Sequence, residues 1–510
     1  MSRGVEHKIK TLPYLAAEVR RLQRAGKTVV QCHGVFDLIH PGHLRHFAAA
    51  RREGDVLVVT LTADRYVKRG PGRPLFSEHL RAESLAALEL VDFVAIVASP
   101  TAVECLETLR PNVYVKGPDY RQARDDVTGM ITAEKQAVER HGGRLHITDD
   151  IVFSSTQLIN AELDVQPPLI RRYLQRLAND YSVGTITQLL QRLEQLRILV
   201  IGDAIIDQYD YVRPLGKSGK EPLVVSKFVE RESFAGGVLA TATHVASLSR
   251  NVRLATLLGR RHSWREFIDE KLSPRINPKF FYRRGAVTTV KRRYVSEGRA
   301  QKMFEIYFID DTLLDRTGET AVIRWLAKMQ KNLDLIIVND FGHGFITEGI
   351  IAAIRRSRRK LAINVQTNGA NAGFNLVTKY PRADFVCVDE VELRYAAHDR
   401  DGDLKHIMKK ISRQLKCELL VTTRGRKGSL SWSRSEGFIA TPAFATQVVD
   451  AVGAGDAFFA YAAPCFAAGF PPTLVPFVGN VAGSLATQIV GNRSAVELPD
   501  VLKFIGRLLK

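Results

Sequence analysis

Five short strand-like segments in the first third of the chain (residues 28–32, 55–62, 93–97, 113–116 and 144–148) alternate with stretches of helical period at 42–53, 77–90, 101–109 and 131–140. Strands that alternate with helices build parallel β-α-β units. This region therefore reads as a doubly wound α/β layer that places ligands at the carboxyl ends of its strands. A polar, proline-bearing stretch, Asp164-Val165-Gln166-Pro167-Pro168, interrupts the alternation, and a helical connector follows at 169–179. A second α/β region opens with Ile198-Leu199-Val200-Ile201. The 510 residues exceed one ordinary core. The expected division is a first α/β domain at 1–165, a linker at 166–182 and a larger α/β domain at 183–510.

Residues 34–43, Gly-Val-Phe-Asp-Leu-Ile-His-Pro-Gly-His, join the first apolar run to a helix. A strand, a glycine turn and a helix N-terminus present backbone N–H groups to an anion, and the helix dipole adds to them. His40 and His43 put two imidazoles beside that point, and Gly42 lets a ligand approach the backbone. Such a set suits charge that develops on an α-phosphate under attack. The competing reading makes the two histidines a helix cap and a packing residue. Further along, Arg73 and Arg81 offer guanidinium forks to phosphate, Lys116-Gly117 ends a strand, and Ser154-Ser155-Thr156 places hydroxyls at a helix start. Together these elements resemble the cytidylyltransferase-like nucleotidyltransferases, in particular the heptose-phosphate adenylyltransferases, over about residues 28–160. The resemblance implies a Rossmann-like domain with nucleotide contacts from Gly34, Phe36, Asp37, Gly42, Arg73, Lys116, Gly117, Ser155 and Thr156. It also implies Mg²⁺ and ATP, with CTP as the alternative nucleotide.

Near the other end stands Asp450-Ala451-Val452-Gly453-Ala454-Gly455-Asp456. Gly-Ala-Gly at a helix start forms a nest of N–H donors, and Asp456 directly after it can accept the proton of an attacking hydroxyl. A glycine-rich turn with an acidic cap is the bland alternative. The motif and its flanks resemble the ribokinase-like (PfkB) sugar kinases over about residues 195–500. That resemblance implies sugar contacts from Asp203, Asp207, Gly236 and Gly237. It implies ATP and phosphate contacts from Asp389, Glu392, Thr423, Gly425, Gly428, Gly453, Ala454, Gly455 and Asn480, with Glu392 acting through Mg²⁺. It further implies a small β lid over the sugar, from 223–234, that doubles as a dimer surface. Three positions depart from the pattern: Val238-Leu239-Ala240 follows the double glycine, Asp389 replaces an asparagine, and Asn364-Val365 stands where heptose kinases carry Asp-Pro.

Kinase-like and transferase-like regions in one chain resemble the bifunctional heptose 7-phosphate kinase/heptose 1-phosphate adenylyltransferases, with the domain order reversed. The implied ligands are a sugar phosphate and a nucleoside triphosphate, and the implied assembly is a homodimer or higher homo-oligomer. A net charge of +19 raises nucleic-acid binding as a rival, but the basic residues lie in short scattered groups such as Lys291-Arg292-Arg293. A positive field that steers phosphates accounts for them equally well. No apolar run approaches the length of a membrane span, no secretory signal opens the chain, and five scattered cysteines form no disulfide framework. A cytoplasmic setting is the expectation.

Overall fold

The computed structural model describes residues 5–67, 74–117, 130–148, 167–297, 301–445 and 448–509. Its contacts divide the chain into Met1–Gln175 with Leu502–Lys510, and Arg176–Val501. The division falls inside a helix, Pro168–Asp180, so the expected linker at 166–182 is mostly helical.

The first unit runs α1 (Leu12–Arg24), β1 (Val29–Gly34), α2 (Pro41–Arg51), β2 (Val56–Thr62), α3 (Glu78–Ala86), β3 (Phe93–Val97), α4 (Val103–Leu109), β4 (Val113–Lys116), α5 (Ile131–Glu139), β5 (Arg144–Ile147) and α6 (Pro168–Asp180). The five strands are parallel in the order β3-β2-β1-β4-β5. Every residue of β2 is buried, as a central strand covered on both faces requires. Its alternate residues feed two cores: Leu57, Val59 and Leu61 pack with Phe47 and Leu85, while Val56 and Val58 pack with Leu15 and Val19. Strand order reverses between β1 and β4, so the loop that leaves β1 opens at the switch point where doubly wound sheets hold ligands.

The second unit continues with α7 (Val183–Arg192), β6 (Arg197–Lys217), β7 (Val224–Gly237), α8 (Val238–Leu248), β8 (Asn251–Arg261), α9 (Arg265–Lys271), β9 (Ile276–Val287), β10 (Val290–Ser296), β11 (Lys302–Phe308) and α10 (Arg316–Met329). There follow β12 (Leu335–Asp340), α11 (Glu348–Arg355), β13 (Lys360–Val365), β14 (Phe385–Asp389), α12 (Glu390–Ala397), α13 (Leu404–Gln414) and β15 (Leu419–Thr423). The chain then forms β16 (Ser429–Ser433), β17 (Gly437–Thr441), α14 (Ala454–Ala467), α15 (Leu474–Ala486) and α16 (Leu498–Leu508), which from Leu502 onward is counted with the first unit. A parallel sheet, β9-β8-β6-β12-β13-β14-β15, ends in the antiparallel pair β16-β17.

The 21-residue β6 belongs to two sheets. Residues 197–203 pair with β8 in the central sheet, while 204–217 pair with β7 and in part with β10, which β11 flanks. This second sheet is the β lid, and it is larger than the 223–234 segment the sequence marked. No helix among the described residues is long and apolar enough to cross a membrane. All five cysteines are buried and unbridged.

Candidate active sites

In the first unit, His40 caps α2: its backbone is extended (φ −142°, ψ 168°) and its Nδ1 accepts the Gly42 N–H at 3.1 Å. With Nδ1 accepting, the neutral ring carries its proton on Nε2, and burial lowers the pKa in favour of that neutral form. The His43 ring stacks on His40 at 3.9 Å and meets Phe36 edge-on at 5.3 Å. The two imidazoles thus form one pair, oriented by Phe36. Phe36 has a left-handed φ of 50°, and a Cβ at position 34 would lie 2.9 Å from its ring, so a side chain there would push Phe36 aside. Asp37 is buried and accepts the N–H groups of Leu75 (2.6 Å) and Phe76 (3.3 Å), which fixes that loop to the motif.

Two expectations change in this unit. Arg81 does not face a phosphate: it is 1% exposed and donates to the carbonyls of Val35, Thr62 and Phe76 and to the Asp64 carboxylate at 2.7 Å. It braces the motif loop from beneath. Lys116 sits at the end of β4 as expected, but it is buried in an ion pair with Glu134 at 2.9 Å. Arg73, Ser155 and Thr156 lie outside the described residues.

In the second unit the site gathers where β6 passes from central sheet to lid. Gly236 and Gly237 end β7 opposite Ile205 and Ala204. A Cβ on Gly236 would lie 2.0 Å from Asp207 Oδ2, and one on Gly237, whose φ is 58°, would lie 2.7 Å from the Asp203 carbonyl oxygen. Only glycine lets β7 cross so close to these two aspartates. Asp207 pairs with Arg293 of β10, and Lys291 lies buried on the same strand.

Asp203 is placed differently from the implied sugar contact. Its carboxylate accepts the N–H groups of Phe341 (2.9 Å), His343 (3.4 Å) and Phe345 (3.4 Å), so it holds the loop after β12. Burial, with the charge of Asp340, pushes its carboxyl up to about 6. Beside it a cavity of about 20 Å³ is also lined by His343, Arg283 and Thr288. Among the described residues neither ring nitrogen of the buried His343 has a hydrogen-bond partner, and burial together with the charges of Lys291 and Arg283 pulls its pKa down to about 3.

Asp456 is the third residue of α14. Its Oδ1 accepts Gln366 Nε2 at 3.0 Å and Asn339 Nδ2 at 3.4 Å, and burial is the main reason its carboxyl rises to about 6. Gln366 in turn donates to Asn364 Oδ1 at 2.9 Å. The asparagine that departs from the kinase pattern therefore orients the glutamine that orients Asp456. Gly453 has a φ of 84°, and a Cβ there would lie 2.1 Å from Asn492 Oδ1, whereas one on Gly455 would meet nothing within 4 Å. The helix begins with no side-chain cap; the Ala454 N–H donates to the Ala451 carbonyl at 3.3 Å, and the Gly455 and Asp456 N–H groups that follow are the ones that can meet an anion.

Asp389 and Thr423 are register partners at the carboxyl ends of β14 and β15. Asp389 caps α12 by accepting the Glu392 N–H at 2.7 Å, while Glu392 accepts the N–H groups of Asp389 (2.9 Å) and Thr367 (3.0 Å), a capping box. Burial and the charge of Asp389 push Glu392 up to about 8. A divalent cation would relieve that burden, and these hard oxygen donors fit Mg²⁺ bound through one or two carboxylates together with substrate phosphates. Gly425 and Gly428 both have positive φ, and a Cβ on Gly428 would lie 2.0 Å from the Thr441 carbonyl. Asn480 is buried on α15. Both its amide hydrogens are used, on Ser429 Oγ at 2.7 Å and on the Pro476 carbonyl at 2.9 Å, so it ties α15 to β16.

Motif reading missed Lys291, Arg293, Asn339, Gln366 and His343. The one trace of them in the sequence is the basic group Lys291-Arg292-Arg293, which composition alone assigns to a diffuse field.

Residues 195–498 match the family model described as pfkB family carbohydrate kinase, and residues 32–161 match the cytidylyltransferase-like model. Among curated proteins, the bifunctional protein HldE of Syntrophotalea carbinolica is 44% identical over 150 residues, 29% of this chain and 29% of its own length. HldE of Geotalea uraniireducens is 44% identical over 151 residues, again 29% of each chain. Both similarities lie in the N-terminal part, so the matched segment spans under a third of these relatives. Among solved structures, a ribokinase-like protein from Agrobacterium tumefaciens superposes with a TM-score of 0.50 at 16% identity, over 62% of this chain and 99% of that one. The phosphofructokinase-2 of Escherichia coli gives 0.50 at 15%, over 62% and 100%. At such identities the likeness concerns the fold.

Proposed function

The chain belongs to the pfkB family of carbohydrate kinases, and on that premise we propose a bifunctional sugar-activating enzyme. The second unit phosphorylates the anomeric hydroxyl of a sugar, a heptose 7-phosphate, with ATP. The first unit transfers AMP from ATP to the resulting sugar 1-phosphate and releases pyrophosphate. One observation carries the reading: Asp456, held by Gln366 and Asn339, stands directly behind the uncapped Gly453–Gly455 turn. That puts a proton acceptor beside an anion cradle, as phosphoryl transfer to a hydroxyl needs.

In the kinase step the sugar hydroxyl gives its proton to the Asp456 carboxylate as its oxygen bonds to the γ-phosphorus, and the bond to the ADP oxygen breaks. The N–H groups at the start of α14 receive the charge on the transferring phosphoryl. Lys291 and Arg293, with Arg283 nearby, supply the cationic surroundings that a phosphorylated sugar calls for. Asp389 and Glu392 would hold Mg²⁺, which neutralises phosphate charge when bound. In the transferase step a phosphate oxygen of the sugar 1-phosphate attacks the α-phosphorus and pyrophosphate leaves. The nucleophile is already an anion, so His40 and His43 act as donors to the crowded phosphorus oxygens rather than as bases.

Exposed apolar side chains crowd the lid, among them Leu215, Val224, Phe228, Phe304 and Ile306. A homodimer formed through this sheet is part of the proposal, because a second copy would cover these exposed apolar side chains. So is a domain order opposite to that of the bifunctional relatives.

The test is incubation with ATP or CTP, Mg²⁺ and a panel of sugar phosphates, with mass spectrometry of the products. A nucleotide sugar formed from heptose 7-phosphate supports the proposal. Nucleotidyl transfer without any sugar phosphorylation would instead make the second unit a sugar-binding or regulatory module.

A further inference from the structure

The Asp450 carboxylate accepts four hydrogen bonds from three parts of the second unit. Two come from the lid: Tyr209 Oη, on the lid half of β6, donates to Oδ2 at 2.6 Å, and Lys302 Nζ, at the start of β11, donates to Oδ1 at 2.5 Å. One comes from the phosphate-cradle turn itself, where Val452 N–H donates to Oδ1 at 3.1 Å. The fourth comes from Gly491 N–H, which donates to Oδ2 at 2.9 Å and directly precedes the Asn492 that lies against Gly453. Lys302 also lies 5.2 Å from the centre of the Tyr209 ring, so the two lid donors support each other. Asp450 is 7% exposed, and these donors hold its carboxyl below the usual aspartate range although burial pushes the other way.

We propose that Lys302 is a positioning residue that latches the lid to the phosphate cradle through Asp450. A lid closed over the sugar seats the ammonium on Asp450. The carboxylate then fixes Val452 and Gly491, and with them the turn whose N–H groups meet the γ-phosphate. An open lid withdraws Lys302 and leaves that turn loose. ATP would then meet a formed cradle only when a sugar lies beneath the lid, which suppresses transfer to water. The inference rests on the kinase reading, and it adds a coupling that the motif residues do not contain.

The test compares the full-length protein with Lys302→Met and Lys302→Arg. Loosening a preorganised donor set by a fraction of an ångström lowers rates by about tenfold to a hundredfold. Lys302→Met should therefore lose that factor in kinase kcat with little change in KM for the sugar, and its ATP hydrolysis without sugar should rise relative to sugar phosphorylation. Lys302→Arg should restore most of the rate, and added ammonium chloride should partly rescue Lys302→Met alone. Nucleotidyl transfer by the first unit serves as the folding control. Amide hydrogen exchange at Val452 and Gly491 reads the latch without turnover and should be faster in Lys302→Met. Wild-type kcat in Lys302→Met, equal losses in both variants, or unchanged exchange at those amides overturns the latch. A wild-type protein that phosphorylates no sugar, with exchange altered as expected, overturns the kinase reading instead.

Discussion

Replacing Asp456 by asparagine should make the protein more stable and its kinase site inactive. The carboxylate is buried, and raising it from the ordinary aspartate value of about 3.9 to about 6 corresponds to about 3 kcal/mol. The sign follows from linkage. The folded state binds this proton more tightly than the unfolded chain does, so the favourable contribution is complete below about pH 4 and is lost as pH rises through about 6. At neutral pH the fold carries the whole burden of the charge. Asparagine removes it and can still accept from Gln366 and Asn339 through its amide oxygen. Loss of attraction to Lys291 offsets part of the gain, so about 1–3 kcal/mol is expected at pH 7.5. Calorimetry across pH should show the gain shrinking below pH 6. Kinase kcat should fall by about a hundredfold or more, the usual share of a general base, with nucleotidyl transfer intact. In the wild type, kcat/KM should decline by about tenfold per pH unit below about 6. Lys291→Met removes a charge that lowers the Asp456 pKa, so it should move that limb to higher pH, which titration of ATP itself cannot do. A destabilised Asp456→Asn, or one with near-normal kcat, would refute the reasoning.

His43→Ala should lower nucleotidyl transfer by about a hundredfold, as for removal of one charge-stabilising donor, while kinase turnover is retained; equal loss of both activities would contradict independent sites. Gly236→Ala should raise the kinase KM for sugar by about tenfold or more, because its methyl group would displace Asp207 from a position 2.0 Å away. A normal KM in steady-state assays would show that Asp207 does not hold the sugar. Arg81→Met leaves three backbone carbonyls and Asp64 without their donor, and should destabilise the first unit by about 3 kcal/mol in denaturant unfolding. A cost below about 1 kcal/mol would return Arg81 to the solvent side of the site.

Much of the first unit was legible because its signals are local. The central strands carry the apolar residues that burial on both faces demands, most fully in β2, where every residue is buried, and each crossover carries helical period. The motif loop was legible for the same reason, since a strand end, Gly34, Pro41 and Gly42 dictate a turn into a helix whatever surrounds them. The lid was only half visible. Residues 223–234 announced a strand, but no local rule says that β6 runs through two sheets for 21 residues.

At the sites, sequence alone determined which chemistry-bearing residues exist and which glycines free their backbones: His40, His43, Asp456, and the Gly236-Gly237 and Gly453-Ala454-Gly455 turns. Tertiary structure decided what each side chain faces. Arg81 and Asn480 look like ligand groups in a line of text, yet burial obliges a polar side chain to satisfy itself on the nearest acceptors, and Val35, Thr62 and Ser429 among those come from segments far away in the chain. Lys291 and Arg293 look like diffuse charge, yet pairing of β10 with β6 sets them beside Asp207. Asp450 shows the same division. Its place six residues before Asp456 is written in the chain, but its hold on Lys302 and Tyr209 exists only because β6 and β11 return to the same carboxylate.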